Sequence, residues 1–261
     1  MCERLLQPNL CVFTSLIHLR LRHIADAVIG GYQAGFTPGR STLDHLSTLR
    51  LVSEKYYEFG RDLHIVFVDF KQAYDSINRE ALWSAFAELS VPAKYIRLIQ
   101  ACYHDTSCLV RFNGQQSEQF PVKNGLRQGD PLAPLMFNFA LEKVIRDMGD
   151  LDVLGEVKIG SLLAFADDVA ILGETVEQVI ATTSRFLHSA STMGLTVNAS
   201  KTEYMCVSRN QPTMPHITVN GYHFQRVISF KYLGSTLTSK NDIGVEIRAR
   251  IASANRCLFG L

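Results

Sequence analysis

Two adjacent carboxylates, Asp167 and Asp168, interrupt an otherwise apolar stretch, with Leu162-Leu163-Ala164 shortly before them and Val169-Ala170-Ile171-Leu172 after. Short apolar runs on either side of a turn-favouring acid read as a β-hairpin, which places two like charges at its tip. Charges a few ångströms apart repel and raise each other's pKa, so a cation, most simply a divalent metal, is the natural counterweight. Taken alone, the doublet is equally a solvated loop tip, because Asp is a common turn residue. A third acid narrows the choice. Leu63-His64-Ile65-Val66-Phe67-Val68-Asp69-Phe70 reads as a buried strand rich in β-branched and aromatic residues, with Asp69 near its end. Strand-end acids of this kind can share two Mg²⁺ ions, leaving coordination positions for phosphate and water, and that is the chemistry of phosphoryl transfer.

Composition limits the alternatives without deciding among them. With 261 residues, 47% hydrophobic and 20% charged, the chain can bury a full core and is globular rather than disordered. The apolar stretch from Leu5 to Leu21 is broken by Pro8, His18 and Arg20, so neither a membrane span nor a secretory signal is expected, and the protein is expected to be soluble and intracellular. Six cysteines without Cys-x-x-Cys spacing read as reduced thiols, and Cys102, His104 and Cys108 lack an evident fourth ligand for zinc. Net charge is only +1, but it is unevenly spread. Residues 62–193 carry 17 acidic and 11 basic side chains, whereas 194–261 carry 8 basic and 3 acidic, so the acidic centre suits metals and the basic C-terminal third suits a nucleic-acid backbone or an ordinary solvated surface.

Periodicity supplies the coarse architecture. Leu43, Leu46, Leu49, Val52, Tyr56 and Phe59 mark a helix opened by Ser41 with Asp44 as a capping box. Helices are expected over 78–89, 93–103 and 135–148, with an extended segment over 108–112 turning at Asn113-Gly114. A further helix should open at the Thr175 and Gln178 capping box and run to Met193, stopped by Gly194. Asn220-Gly221 between two alternating runs is a hairpin signal. Strands mixed irregularly with helices indicate an α+β class rather than a doubly wound sheet.

Six blocks in a fixed order carry a family resemblance. They are Gln33-Ala34-Gly35-Phe36-Thr37-Pro38-Gly39-Arg40-Ser41-Thr42; Asp69-Phe70-Lys71-Gln72-Ala73-Tyr74-Asp75; Gly125-Leu126-Arg127-Gln128-Gly129-Asp130-Pro131-Leu132-Ala133-Pro134; Phe165-Ala166-Asp167-Asp168; Gly194-Leu195-Thr196-Val197-Asn198 with Lys201-Thr202; and Phe230-Lys231-Tyr232-Leu233-Gly234. Together they resemble the reverse transcriptase domain of a non-LTR (LINE-type) retrotransposon, the first block being similar also to the fingers motif of group II intron enzymes. Thr37 stands where related motifs often carry Arg, and Phe165 where Tyr is familiar; neither is a metal ligand.

That resemblance implies a right-hand polymerase of fingers and palm over residues 33–235, with an antiparallel palm sheet packed on helices and the thumb largely absent. Residues 1–32 match poorly, and 236–261 read as a truncated palm-to-thumb connection in a fragment of a larger polyprotein. It implies Asp69 and Asp167 as primary metal ligands, Asp168 as a supporting acid and the Phe70 carbonyl as an extra oxygen, holding two Mg²⁺, with Mn²⁺ as an alternative. Tyr74 is implied under the sugar of the incoming nucleotide, and Gln128 against nucleotide or template. Arg40, with Lys71 and Arg127, is implied at the triphosphate and Lys201 near the pyrophosphate, while Phe230 to Gly234 resembles the primer grip. Without the family, Tyr74 reads as core packing, Gln128 as part of a turn, and Arg40 and Lys201 as solvated surface. The implied activity is RNA-directed DNA synthesis from deoxynucleoside triphosphates on a DNA primer or target, without a membrane partner, as part of retrotransposition. A fused endonuclease and a ribonucleoprotein passing between cytoplasm and nucleus follow from the same resemblance. The rival is a non-catalytic retrotransposon-derived fragment that at most binds nucleic acid; an unrelated metal-dependent phosphohydrolase explains the acids but not the ordered blocks.

Overall fold

A computed structural model of the chain describes residues 8–155 and 159–259. In chain order the helices are α1 (Pro8–Val28), α2 (Thr42–Glu58), α3 (Ala73–Ser76), α4 (Arg79–Glu88), α5 (Ala93–Tyr103), α6 (Ala133–Asp147), α7 (Val176–Thr192) and α8 (Ile243–Phe259). The longer strands are β1 (Leu63–Val68), β2 (Leu162–Phe165), β3 (Asp168–Gly173), β4 (Glu203–Val207), β5 (His216–Val219), β6 (Tyr222–Arg226), β7 (Ser229–Tyr232) and β8 (Ser235–Thr238). They belong to two interleaved units. A sheet unit comprises Pro38–Asp69, Asp150–Arg185 and the described residues from Val197 onward; a helical unit comprises those up to Thr37, Phe70–Gly149 and Phe186–Thr196. The α+β class expected from the mixed periodicities is the class observed.

The sheet unit is built around β1, which is buried along its whole length and sits between β4 and β3 in the order β5-β6-β4-β1-β3-β2. Every neighbouring pair is antiparallel except β4 with β6. Alternation along β1 sends Leu63, Ile65 and Phe67 to one face, where they meet Ala170, Leu172, Met205 and Val207 and are covered by Leu46, Leu49, Val52 and Tyr56 of α2. Each fully buried aliphatic side chain there contributes about 1.5–3 kcal/mol. Ser41 opens α2 as expected, its backbone N–H donating to Asp44 Oδ2 at 2.6 Å. The register sets Val68 opposite Val169, so the chain leaves β1 beside the point where β3 begins. That single pairing carries Asp69 to the same end of the sheet as Asp168.

The helical unit packs α1, α4 and α5 with α6, whose side chains are buried nearly all round. One of them is Glu142, 3% exposed, which accepts from Gly30 N at 2.9 Å and Tyr32 Oη at 2.6 Å and pairs with Arg146 Nε at 2.6 Å. Stripped of such partners, a buried carboxylate costs several kcal/mol, roughly 3–5 when one member of a pair is removed. Arg146 also donates to the Val28 carbonyl at 2.7 Å, satisfying the last turn of α1.

Most expected elements appear within two residues of their predicted ends. α6 starts at Ala133 because Pro134 falls in its first turn, where no amide is required. α7 stops short of Gly194, whose φ of +86° takes the left-handed conformation and whose missing Cβ would lie 2.5 Å from the Ser76 carbonyl. Asn220 and Gly221, at φ +50° and +82°, form the expected β5–β6 turn. The extended segment over 108–112 is a correction: it splits into two-residue ladders at 107–108 and 111–112, because the Ser117 hydroxyl takes the Val110 amide at 2.9 Å. The β7–β8 hairpin was not expected as such. Its turn residues Leu233 and Gly234 both have positive φ, and Leu carries none of the signal that Asn or Asp gives there. Among the described residues, no helix is long and apolar enough to cross a membrane.

Candidate active site

Three local devices in the sheet unit fix the acids. The first is the tight β2–β3 connection, in which Phe165 pairs with Asp168 and only Ala166 and Asp167 lie between. Ala166 adopts φ +55°, a left-handed conformation that costs an L-residue with a Cβ roughly 1–2 kcal/mol. Strain of this kind is retained where the surrounding structure over-determines it, and here it presents two successive carboxylates at the sheet end. The second device is Thr202, 1% exposed, whose Oγ1 receives the Asp69 amide at 3.1 Å, while Asn198 N donates to the Asp69 carbonyl at 2.8 Å. The third is Tyr232 on β7, whose hydroxyl donates to the Asp168 carbonyl at 3.3 Å. Phe230 stacks on Phe67 of β1 at 4.0 Å between centroids, holding that hairpin against the central strand.

These devices enclose a small cleft of about 60 Å³ lined by Asp69, Asp168, Lys201, Phe230, Lys231 and Tyr232, among others. Asp168 has its pKa pushed up to about 6, first by partial desolvation and then by the charges of Asp167 and Asp69. Asp167 is raised as well, by desolvation and by Asp69, against a bond from its own backbone amide. The charges of the three acids therefore repel one another. Their donors are all oxygens, the set that hard divalent cations prefer over zinc or copper, so the residues fit such an ion. They are not drawn into a tight tripod: among the described residues, the trio of metal-type donors within 4.8 Å of one another is Asp62, His64 and Cys206.

The remaining predicted residues fall in several places. Lys201 is exposed and lines the cleft with the acids. Arg40 is exposed just before the α2 cap and is not among the cleft-lining residues. Phe70 is buried, its ring 5.9 Å from that of Phe186, which anchors the backbone immediately after Asp69. In the helical unit, Tyr74 stacks on Phe137 at 4.7 Å and Gln128 Nε2 donates to Asp75 Oδ2 at 3.2 Å. Leu126 N bonds the Tyr74 carbonyl at 2.8 Å, and a Cβ on Gly125 would stand 2.5 Å from the Asp75 carbonyl oxygen, so the Gly125–Gln128 loop can lie on the Tyr74 turn only with glycine there. Lys71 is exposed; Arg127 lies over the Tyr103 ring at 5.0 Å and donates to Thr106. Sequence reasoning gave no role to Thr202 or to the Tyr232 hydroxyl. Both lay within quoted blocks, but their contacts cross 133 and 64 residues of chain.

Known proteins give this arrangement a context. The family described as reverse transcriptase (RNA-dependent DNA polymerase) matches residues 4–237. The chain is 25% identical over 222 residues to the Retrovirus-related Pol polyprotein from type-2 retrotransposable element R2DM of Drosophila melanogaster, covering 81% of this chain and 21% of that protein. It is 29% identical over 203 residues to the R2 polyprotein of Nasonia vitripennis, covering 72% and 19%. It is 24% identical over 260 residues to the probable RNA-directed DNA polymerase from transposon X-element of Drosophila melanogaster, covering 92% and 28%. Among solved structures it is similar to apo telomerase from Candida tropicalis, with a TM-score of 0.58 and 15% identity over 89% of this chain and 39% of that one. That likeness establishes the fold. The chain spans about a fifth of the length of the R2DM and Nasonia polyproteins.

Proposed function

The chain belongs to the reverse transcriptase (RNA-dependent DNA polymerase) family, as a domain of the non-LTR retrotransposon type, and from that premise we propose that it extends a DNA 3′-hydroxyl on an RNA template, using deoxynucleoside triphosphates, during retrotransposition. The observation that carries this reading is the cleft in which Asp69 and Asp168 face Lys201 beneath the β7–β8 hairpin, with the Asp167 and Asp168 carboxyls held above their ordinary range.

Asp69, Asp167 and Asp168, with the Phe70 carbonyl, would hold two divalent cations, Mg²⁺ or in its place Mn²⁺. Bound there, such ions would supply positive charge to orient an attacking hydroxyl and to offset charge developing on phosphoryl oxygens. The protein's own groups do the positioning. Thr202 and Asn198 fix the Asp69 backbone, and the β7–β8 hairpin, held against β1 by the Phe230–Phe67 stack, seats the primer end. Lys201 supplies a cation where pyrophosphate departs, stabilising charge or donating a proton. Tyr74, held flat on Phe137, walls the sugar of the incoming nucleotide, and Gln128, tied to Asp75, contacts nucleotide or template. Arg40 neutralises the triphosphate through the bidentate geometry of its guanidinium. A fused endonuclease and assembly as a ribonucleoprotein in cytoplasm and nucleus belong to the same proposal.

The test is primer extension on an annealed RNA template with Mg²⁺, comparing the parent chain with Asp167→Asn, which removes charge while nearly preserving shape. Extension by the parent alone supports the reading. If neither extends, the assay is repeated with Mn²⁺ in place of Mg²⁺. Continued silence there overturns the proposal in favour of a non-catalytic fold.

A further inference from the structure

At the opposite end of β1 from the acids lies a second group of metal-type side chains, Asp62, His64 and Cys206, with one donor atom from each within 4.8 Å of the others. The sheet register explains the grouping. His64 and Cys206 are direct cross-strand partners on β1 and β4, so their side chains leave the sheet on the same face. Asp62 stands two residues before His64, at the spacing that repeats along one face of a strand. Seven residues at about 3.3 Å each put Asp62 roughly 20 Å from Asp69, well clear of the polymerase acids.

From this juxtaposition we propose that Asp62, His64 and Cys206 form a binding site for one zinc-class transition-metal ion, with a fourth position left to water. The donor set is the first reason. One sulfur, one imidazole nitrogen and one carboxylate oxygen suit Zn²⁺ and its relatives, and a thiolate selects against Mg²⁺ and Ca²⁺. Second, the ring is already oriented. The Tyr204 hydroxyl lies 2.6 Å from His64 Nδ1, and the two rings stack at 5.9 Å with 4° between their planes. A ring nitrogen held by a neighbour is the usual support of a metal-binding histidine, because it fixes the tautomer and aims the other nitrogen. Third, the site combines a dry interior with access: His64 and Cys206 are 5% and 1% exposed, whereas Asp62 is exposed to solvent.

Distances of about 2.3 Å to sulfur and 2.0 Å to nitrogen require the three donors to close by only about an ångström from their present spacing. Binding is balanced by one proton: the Cys206 S–H bond breaks, the proton passes to solvent, and the sulfur pair forms the bond to the ion. Without the ion the thiol is neutral, burial pushing its pKa up to about 12 with a further push from Asp62, so the cation must displace that proton. Arg226 and a hydrogen bond from Tyr204 oppose that push, favouring the thiolate. The ion would staple the start of β1 to β4, adding stability to the central strand pair without touching the chemistry at its other end.

Cobalt reports on such a site directly. Co²⁺ added to the reduced, metal-free chain is expected to give one equivalent of thiolate-to-cobalt charge-transfer absorption, displaced by Zn²⁺ and unchanged in Asp167→Asn. Cys206→Ser should abolish the band. Asp62→Asn, at an exposed position that leaves the core intact, should weaken cobalt affinity by about tenfold or more. Absence of the band from the parent, its survival in Cys206→Ser, or undiminished affinity in Asp62→Asn would overturn the proposal. Circular dichroism of each variant confirms that the fold under test is present.

Discussion

Glu246 on α8 and Asp168 at the start of β3 are both acids of the sheet unit, and their surroundings push them in opposite directions. Glu246, 6% exposed, receives the Thr236 amide at 2.7 Å and the Arg250 guanidinium, which bring its pKa down to about 2. Asp168 lies beside Asp167 and Asp69, which with partial desolvation bring its pKa up to about 6. The first is an anion whose charge the fold has already satisfied, tying α8 to the β7–β8 hairpin. The second is an acid whose charged form its neighbours oppose, in a cleft that it lines with Asp69 and Lys201. Perturbed acids of this kind cluster at functional sites, so the contrast sets the structural acid Glu246 apart from the proposed site acid Asp168 more sharply than burial or position does.

The largest effect that tests this contrast is Asp167→Asn. It is expected to lower primer extension by about 10³-fold or more, while Glu246→Gln leaves the rate within a few-fold of the parent. Extension assays on both variants check it, and equal losses would erase the distinction. Next is Thr202→Val, which keeps shape but removes the hydroxyl that receives the Asp69 amide. Misplacing a reacting group by an ångström costs about 10²-fold, so kcat should fall by that order with little change in KM for nucleotide. A change confined to KM would place Thr202 outside the positioning machinery.

Smaller effects concern stability. Glu246→Gln should cost about 1 kcal/mol in urea unfolding at neutral pH, because a charged acceptor is replaced by a neutral one. Since the folded pKa lies below the ordinary value of 4.5, the parent's advantage is complete above pH 4.5 and lost as pH falls through about 2. The smallest expected change has the opposite sign. With a folded pKa of about 6 against 3.8, Asp168 costs stability as pH rises through that interval, so Asp168→Asn should stabilise the metal-free protein above pH 6. Thermal melts from pH 4 to 8, with and without Mg²⁺, test both, and added Mg²⁺ should flatten only the Asp168 contribution.

Local rules were legible where a residue answers to its near neighbours. The capping of α2 by Ser41 and Asp44, the Asn220-Gly221 turn, the Gly194 stop after α7 and the alternation of β1 all depend on interactions within a few residues, and each appears in the fold. The Ala166 turn breaks the local rule, since Ala is a poor left-handed residue, and the break coincides with the acids. The β7–β8 hairpin escaped notice for the same reason, Leu233 giving no turn signal. Thr202 and Tyr232 stood inside recognised blocks, but nothing local says that a hydroxyl will meet a backbone group 133 or 64 residues away.

The sequence by itself determined the acidic doublet, the buried strand leading to Asp69, the order of the six blocks and hence the family, because these reside in residue types and short-range spacing. Only the tertiary structure decided that Val68 pairs with Val169, which sets Asp69 beside Asp168, and that His64 pairs with Cys206, which gathers a second trio at the far end of the same strand. Strand register is chosen by burial of whole faces, and a slip of one residue would turn every side chain over. No window of sequence contains that choice.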